Sequence, residues 1–320
     1  MHPSAGGASA PIPAAPVRIP DTGSVPDVTP VDPLLILDAL GRAGPAEAFP
    51  VGGGADTAMW RIEHGDARFA LRVFRPEQAA VARREVAAMR LAGNAGIPVP
   101  ELHAEGAWRD RPALLLDWMP GEPLMHALIA RPWRTWSLGV ALGRAQATIH
   151  AIAVPPGRLG QASTWVDWGA PDDALRRLLL LHAVDGDALL HLDLHPMNVL
   201  VQGREVTAVL DWANARPGDP RADLARTASI LRFAPLPAGT LPPIVRRLLA
   251  AGWRRGYREA AGPIRGMAPF YAWAAAAMVN DLSPRLGRRD LPWLTPASLE
   301  RVRAWGAIWR ARAGIAALDS

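Results

Sequence analysis

Asp193, Asn198 and Asp211 are three residues with oxygen-bearing side chains. They stand five and then thirteen positions apart, within His191-Leu192-Asp193-Leu194-His195-Pro196-Met197-Asn198 and Leu210-Asp211-Trp212. That spacing suits phosphoryl transfer from a nucleoside triphosphate. One carboxylate receives the proton of an attacking hydroxyl, while the amide and the second carboxylate hold Mg²⁺ on the phosphates. Mg²⁺ is a hard cation that takes oxygen ligands in near-octahedral geometry, so Asn198 and Asp211 fit where His or Cys would not. Asp193, beside the incoming hydroxyl, can orient it and accept its proton as the bond to phosphorus forms.

These side chains must be carried to one place. Asn198-Val199-Leu200-Val201 and Val206-Thr207-Ala208-Val209-Leu210 are strand-like runs flanking a turn at Gln202-Gly203-Arg204-Glu205. The hairpin they form brings Asn198 and Asp211 together at one end of a rigid element. The same segment admits a rival chemistry, in which His191, Asp193 and His195 bind a transition metal as in a metal-dependent hydrolase. That reading leaves Asn198 and Asp211 unexplained and finds no further His-rich segment. His191 is expected to pack behind the catalytic loop, and His195 has no role that the sequence supplies.

With Gly218-Asp219-Pro220-Arg221-Ala222-Asp223-Leu224-Ala225 following the first two motifs, the chain from about Pro33 onward resembles the aminoglycoside phosphotransferase and choline kinase-like family. The resemblance implies an α+β, two-lobed protein-kinase-like fold, with a small β-rich N-lobe and a larger, mainly helical C-lobe. It also implies MgATP or MgGTP and a small-molecule hydroxyl as acceptor. On the matching positions, Asp193 is the catalytic base, Asn198 and Asp211 bind metal, and Asp223 anchors the catalytic loop, a role compatible with a helix cap. Leu192 and Met197 stand where the family often has Gly. Altered packing without loss of function is expected there.

The N-terminal half then supplies the nucleotide lid. Pro50 to Ile62 reads as strand, glycine-rich turn and strand, with Gly52, Gly53 and Gly54 able to bring backbone N–H groups close to phosphate. Phe69 to Phe74 alternates and places Arg72 where this fold grips phosphate. The chain has no lysine, and relatives carry Arg at that position. In the helix expected from Pro76 to Ala92, Glu85 shares an apolar stripe with Val81, Ala88, Met89 and Ala92. An acid so placed needs a cation, so Arg72 and Glu85 are predicted to pair; the alternative is a solvated surface Glu. A buried-strand run ending in Pro120-Gly121 marks the joint between lobes, and by resemblance backbone groups of Asp117, Trp118 and Met119 contact the adenine. Leu138, Leu142, Ala145, Ile149 and Ile152 form a helical stripe that makes His150 a packed structural residue.

Residues 1–30 are rich in Pro, Ala, Gly and Ser without periodicity and read as a disordered tail. Residues 31–118 form the expected N-lobe and 119–320 the C-lobe. Half of the 320 residues are hydrophobic, enough for a large core. No signal peptide or membrane span is expected, and the absence of cysteine is consistent with a cytoplasmic enzyme. The pI of 10.8 reflects basic residues that are all Arg, at a net charge of only +5. They lie on helix faces with no nucleic-acid motif, so no nucleic-acid partner is expected. From Leu224 onward Arg outnumbers Asp and Glu, which favours a neutral or anionic hydroxylated acceptor over a polycation. Asp167, Asp172 and Asp173 could still form an acidic patch. Trp165 and Trp168 could stack on a sugar, although core positions suit them better. A kinase-like small-molecule phosphotransferase is the expected function, ahead of a nucleotide-binding regulator without turnover.

Overall fold

The structure, a computed structural model, describes residues 31–52, 57–160, 163–183, 186–234, 242–289 and 291–315. A short helix α1 (Pro33–Ala39), capped by the Asp32 carboxylate, precedes β1 (Glu47–Pro50), β2 (Ala58–His64) and β3 (Ala67–Val73). Helix α2 (Ala79–Asn94) and strands β4 (Leu102–Trp108) and β5 (Arg111–Asp117) follow. The five strands make one antiparallel sheet in the order β1-β2-β3-β5-β4. Two-residue turns close the β2–β3 and β4–β5 hairpins. Gly65 takes φ +61° in one, and Arg109 and Asp110 take 45° and 63° in the other, the primed-turn geometry that matches strand twist.

Beyond the sheet the chain is mainly helical. In order come β6 (Glu122–Pro123), α3 (Leu124–Ala130), α4 (Thr135–His150), α5 (Trp165–Trp168), α6 (Asp173–His182), β7 (Ala188–Leu190), β8 (Val199–Gln202), β9 (Glu205–Val209), β10 (Arg216–Gly218), α7 (Pro220–Phe233), α8 (Pro243–Ala261), α9 (Ala268–Leu282) and α10 (Pro296–Arg312). Strand β8 lies between β6 and β9, and β7 pairs with β10. The β8–β9 turn is tighter than the sequence suggests. Gln202 pairs with Glu205, so only Gly203 and Arg204 lie between the strands, with Gly203 at φ +66°. Helix α2 starts three residues later than expected, because Pro76–Gln78 forms a single 3₁₀ turn ahead of it.

One core runs from Val86, Met89 and Leu114 beneath the sheet through Leu138, Leu142, Val199 and Trp212 to Leu249 and Trp253. A second gathers Trp165, Leu192, Phe270 and Trp273 beneath the loop that follows β7. Helices α4 and α8 run side by side in the same direction and touch through glycine. A Cβ on Gly143 would sit 2.0 Å from the Trp253 carbonyl oxygen, and one on Gly256 2.1 Å from that of Val140. No helix of the described residues is long and apolar enough to cross a membrane.

Candidate active site

The loop from His191 to Asn198 leaves β7 and is pinned along its length. The Asp223 carboxylate, on the first turn of α7, accepts the His191 N–H at 3.2 Å and the Leu192 N–H at 2.7 Å. Asp223 is therefore an interior anchor, while Asp219 caps the helix by accepting the Arg221 N–H. His150 donates from Nε2 to the same carboxylate at 2.8 Å, with the Tyr257 hydroxyl 2.9 Å from Nδ1. Burial pushes the Asp223 carboxyl up, but His150 foremost, together with His191 and Gln146, holds it below the usual range. His191 is fully buried. Its Nδ1 accepts the Asp193 N–H and its Nε2 donates to the Leu210 carbonyl. Both ring nitrogens are thereby committed, which removes His191 from the rival metal set.

Two backbones in this region lie in the left-handed range, Leu192 at φ 60° and Asp211 at 62°. Asp tolerates that conformation. Leu192 does so at a cost of about 1–2 kcal/mol, while its side chain is wholly buried in the second core. At this position the chain exchanges a relaxed backbone for core packing.

The amide of Asn198 points its Nδ2 at Asp193, 3.0 Å from the carbonyl oxygen and 3.5 Å from Oδ2, which turns its own oxygen away. Asp211 follows β9, and Leu210 N–H donates to the Asn198 carbonyl, tying the two residues together. Arg72, on β3, joins three groups. Its Nε meets the Thr57 hydroxyl at 3.3 Å, Nη1 pairs with Glu85, and Nη2 reaches Asp211 Oδ1 at 3.2 Å. Burial disfavours the guanidinium charge, but Glu85 and then Asp211 outweigh it and hold the pKa above the ordinary value. Burial raises Asp211, and Arg72 then brings it below the usual carboxylate range, so it is ionised at neutral pH. Glu85 is 1% exposed; burial lifts its carboxyl to about 7 against the pull of Arg72. His195 stands beside Asp193, Nε2 to Oδ1 3.8 Å, and accepts the Met197 N–H on Nδ1. Burial depresses its pKa against the pull of Asp193, so the ring is neutral at pH 7.

These residues share a cleft of about 740 Å³ whose lining includes Arg72, Asp193, Asn198 and Asp211. The expected adenine contacts do not line it. The Asp117 N–H is donated to the Glu101 carbonyl at 3.0 Å. The Trp118 N–H is donated to the Arg68 carbonyl at 3.3 Å. Met119 follows directly. Gly52 lies just after β1, away from the cleft lining, and Gly53 and Gly54 fall outside the described residues. The acidic trio is dispersed in other tasks. Asp167 pairs with Arg176, Asp172 caps α6 and pairs with Arg310, and Asp173 sits in the first turn of α6. Trp165 belongs to the core, whereas Trp168 faces the cleft.

Sequence reading passed over Thr57, Arg84, Arg226 and Asp281, all of which line the cleft. For Arg226 a signal existed. It lies in α7 among Leu224, Ala225 and Ile230, the same misfit of charge in an apolar stripe that exposes Glu85.

A family model describing the phosphotransferase enzyme family (APH) matches residues 47–273. The chain belongs to that family. This phosphotransferase matches no curated protein. Its fold is shared by solved structures, among them aminoglycoside phosphotransferase APH(4)-Ia, at 18% identity over 88% of this chain and 98% of that one, with a TM-score of 0.62. Another is amicoumacin kinase hAmiN in complex with AMP-PNP, Ca2+ and Ami, at 14% identity, 88% and 94% coverage and a TM-score of 0.61. A third is aminoglycoside-3'-phosphotransferase of type VIII, at 22% identity, 76% and 96% coverage and a TM-score of 0.57. The phosphotransferase thus has the two-part, kinase-like architecture that its motifs imply.

Proposed function

We propose that this phosphotransferase moves the γ-phosphoryl group of ATP to a hydroxyl of a small molecule, with Asp193 receiving the hydroxyl proton. The observation that carries the reading is the meeting of Asp193, Asn198, Asp211 and Arg72 on one cleft. A thermostable mutant of APH(4)-Ia has been solved as a ternary complex with AMP-PNP and hygromycin B, and that likeness supports a nucleotide and a small acceptor here. In this reading residues 31–118 bind the nucleotide and 119–320 carry the catalytic loop and the acceptor.

The donor set fits Mg²⁺. Asp211 is ionised with one oxygen held by Arg72, and the Asn198 oxygen faces away from Asp193. These are the hard oxygen ligands the ion takes. Mg²⁺ bound by Asn198 and Asp211 would neutralise phosphate charge. Arg72 has five N–H donors, and the bonds to Thr57, Glu85 and Asp211 leave others for phosphate oxygens. Glu85 fixes the direction of that fork from behind. Asn198 fixes Asp193 from the side, so that the carboxylate faces the acceptor hydroxyl and takes its proton as the oxygen bonds to phosphorus. The anchored backbone of His191 and Leu192 keeps Asp193 from drifting, and positioning of this kind accounts for much of the rate in phosphoryl transfer.

The test is Mg²⁺-dependent ADP release against a panel of hydroxylated compounds, namely aminoglycosides, macrolides, choline, homoserine and sugars, with Asp193→Asn alongside. Acceptor-dependent release that falls by at least about a hundredfold in the variant is expected. Equal release by both proteins would remove Asp193 from the chemistry.

A further inference from the structure

The charged lining of the cleft divides by element. Asp193 and Asn198 belong to the catalytic loop, Asp211 follows β9 and Arg72 lies on β3. The rest is Arg84 on α2 and, from α7, α8, α9 and the turn after it, Arg226, Arg246, Arg285 and the acid Asp281. That acid is shared, meeting Arg226 Nη2 at 3.2 Å through one oxygen and Arg285 Nη2 at 3.2 Å through the other.

Arg226 is the most committed of these groups. Its side chain is 5% exposed, its Nε donates to the Leu192 carbonyl at 3.4 Å, and its Nη1 is buried with no acceptor among the described residues. Its guanidinium carbon lies 5.5 Å from the centre of the Trp168 ring, and that of Arg216 lies 5.4 Å from the same centre. Arg246 donates to the Leu231 and Ala234 carbonyls, each at 2.8 Å. Arg216 likewise donates to the carbonyls of Ser163 and Asn214. Carbonyls orient a guanidinium but do not cancel its charge. Burial accordingly depresses Arg246, and burial with the nearby charge of Arg84 depresses Arg216 to about 10. Cationic charge held in a partly dry cleft without matching acids is costly until an anion meets it.

We propose that the acceptor is an anionic alcohol, a small hydroxylated molecule bearing a carboxylate or a group of like charge, which docks against Arg226 and Arg246 beside Trp168. The inference rests on the phosphotransferase reading only in taking this part of the cleft as the acceptor's place. A guanidinium fork binds a carboxylate through paired N–H donors. The Trp168 face suits the apolar side of a sugar-like or ring-bearing skeleton. A polycationic acceptor would meet like charge at the same walls.

The test uses the full chain saturated with Mg²⁺ and AMP-PNP, so that arginines serving the nucleotide are already engaged. Three pyranoses of one shape are titrated by calorimetry: glucuronate, glucose and glucosamine. Glucuronate should bind about tenfold more tightly than glucose, the yield of one charge-assisted contact, with glucosamine weakest. The preference should shrink as salt is raised and fall towards parity in Arg226→Met. If that variant does not fold, the ranking in the unaltered protein and its salt dependence decide alone. Glucosamine binding as tightly as glucuronate, or the absence of any ranking among the three, overturns the proposal. Failure of the phosphotransferase reading has its own signature, the absence of Mg²⁺-dependent AMP-PNP binding in the first titration.

Discussion

At the residue scale the Arg72–Glu85 pair shows how a sequence exposes a buried charge. An acid in the apolar stripe of α2 demands a cation, and β3 offers one thirteen residues earlier. Burial raises the Glu85 carboxyl from an ordinary 4.5 to about 7. Between those values the folded chain holds a proton that the unfolded chain has released. The stability this group contributes is therefore complete below about pH 4.5 and is lost as pH rises through about 7, by roughly 3 kcal/mol at most. Glu85→Gln should remove that slope. Urea unfolding from about pH 5 to about pH 8 should show the unaltered protein losing stability relative to the variant as pH rises. Parallel curves would mean that Glu85 titrates like a solvated acid. Arg226 obeys the same logic in α7 and went unread because its acid, Asp281, lies 55 residues downstream on another helix. Leu192 was legible as a departure from glycine, but its positive φ and buried side chain are properties of the folded loop.

At the element scale, periodicity located the strands and helices well and their edges less well. Alternation gave β3, a continuous apolar run gave β5, and the 3.6-residue stripe gave α2 and α4. What it hid was the second face of α4. Leu138, Leu142 and Ile149 draw the eye, whereas the contact with α8 is made by Gly139, Gly143, Gln146 and His150, which carry little or no apolar signal. Gln146 accepts the Trp253 indole N–H at 2.7 Å and donates to Thr227 at 3.0 Å. Small residues four apart on both helices, Gly139 and Gly143 against Gly252 and Gly256, were the available clue. Gly143→Ala sets two effects in opposition. Helix propensity would stabilise by up to about 1 kcal/mol. An added Cβ 2.0 Å from the Trp253 carbonyl oxygen forces the two backbones apart, and overpacking of that kind costs about 3 kcal/mol or more. The clash should win, giving a variant destabilised by at least about 2 kcal/mol in chemical unfolding. A variant at least as stable as its parent would mean that the helices do not cross so closely.

At the scale of the whole molecule, the three motifs were readable because each is contiguous, whereas the scaffold that aims them is not. Asp223 joins α7 to the His191–Leu192 backbone, to His150 on α4 and, through His150, to Tyr257 on α8. These partners come from chain positions up to 107 residues apart, so only the folded chain reveals that one carboxylate ties the loop after β7 to three helices. The carboxyl is held below its ordinary value, so its contribution is present above about pH 4 and is lost as pH falls through the folded value. Asp223→Ala would leave two backbone N–H groups and a buried imidazole without their acceptor. The expected loss is about 3–5 kcal/mol, with faster amide exchange at His191 and Leu192 than global destabilisation alone explains. Tyr257→Phe, at the far end of the same chain of contacts, removes one hydroxyl and should cost only about 1 kcal/mol, leaving exchange in the loop close to its original rate. Equal penalties for the two variants would mean that packing rather than the carboxylate holds the loop. Unequal penalties, with exchange accelerated in the loop by Asp223→Ala alone, would place the rigidity of Asp193 in a carboxylate thirty positions from it in the chain.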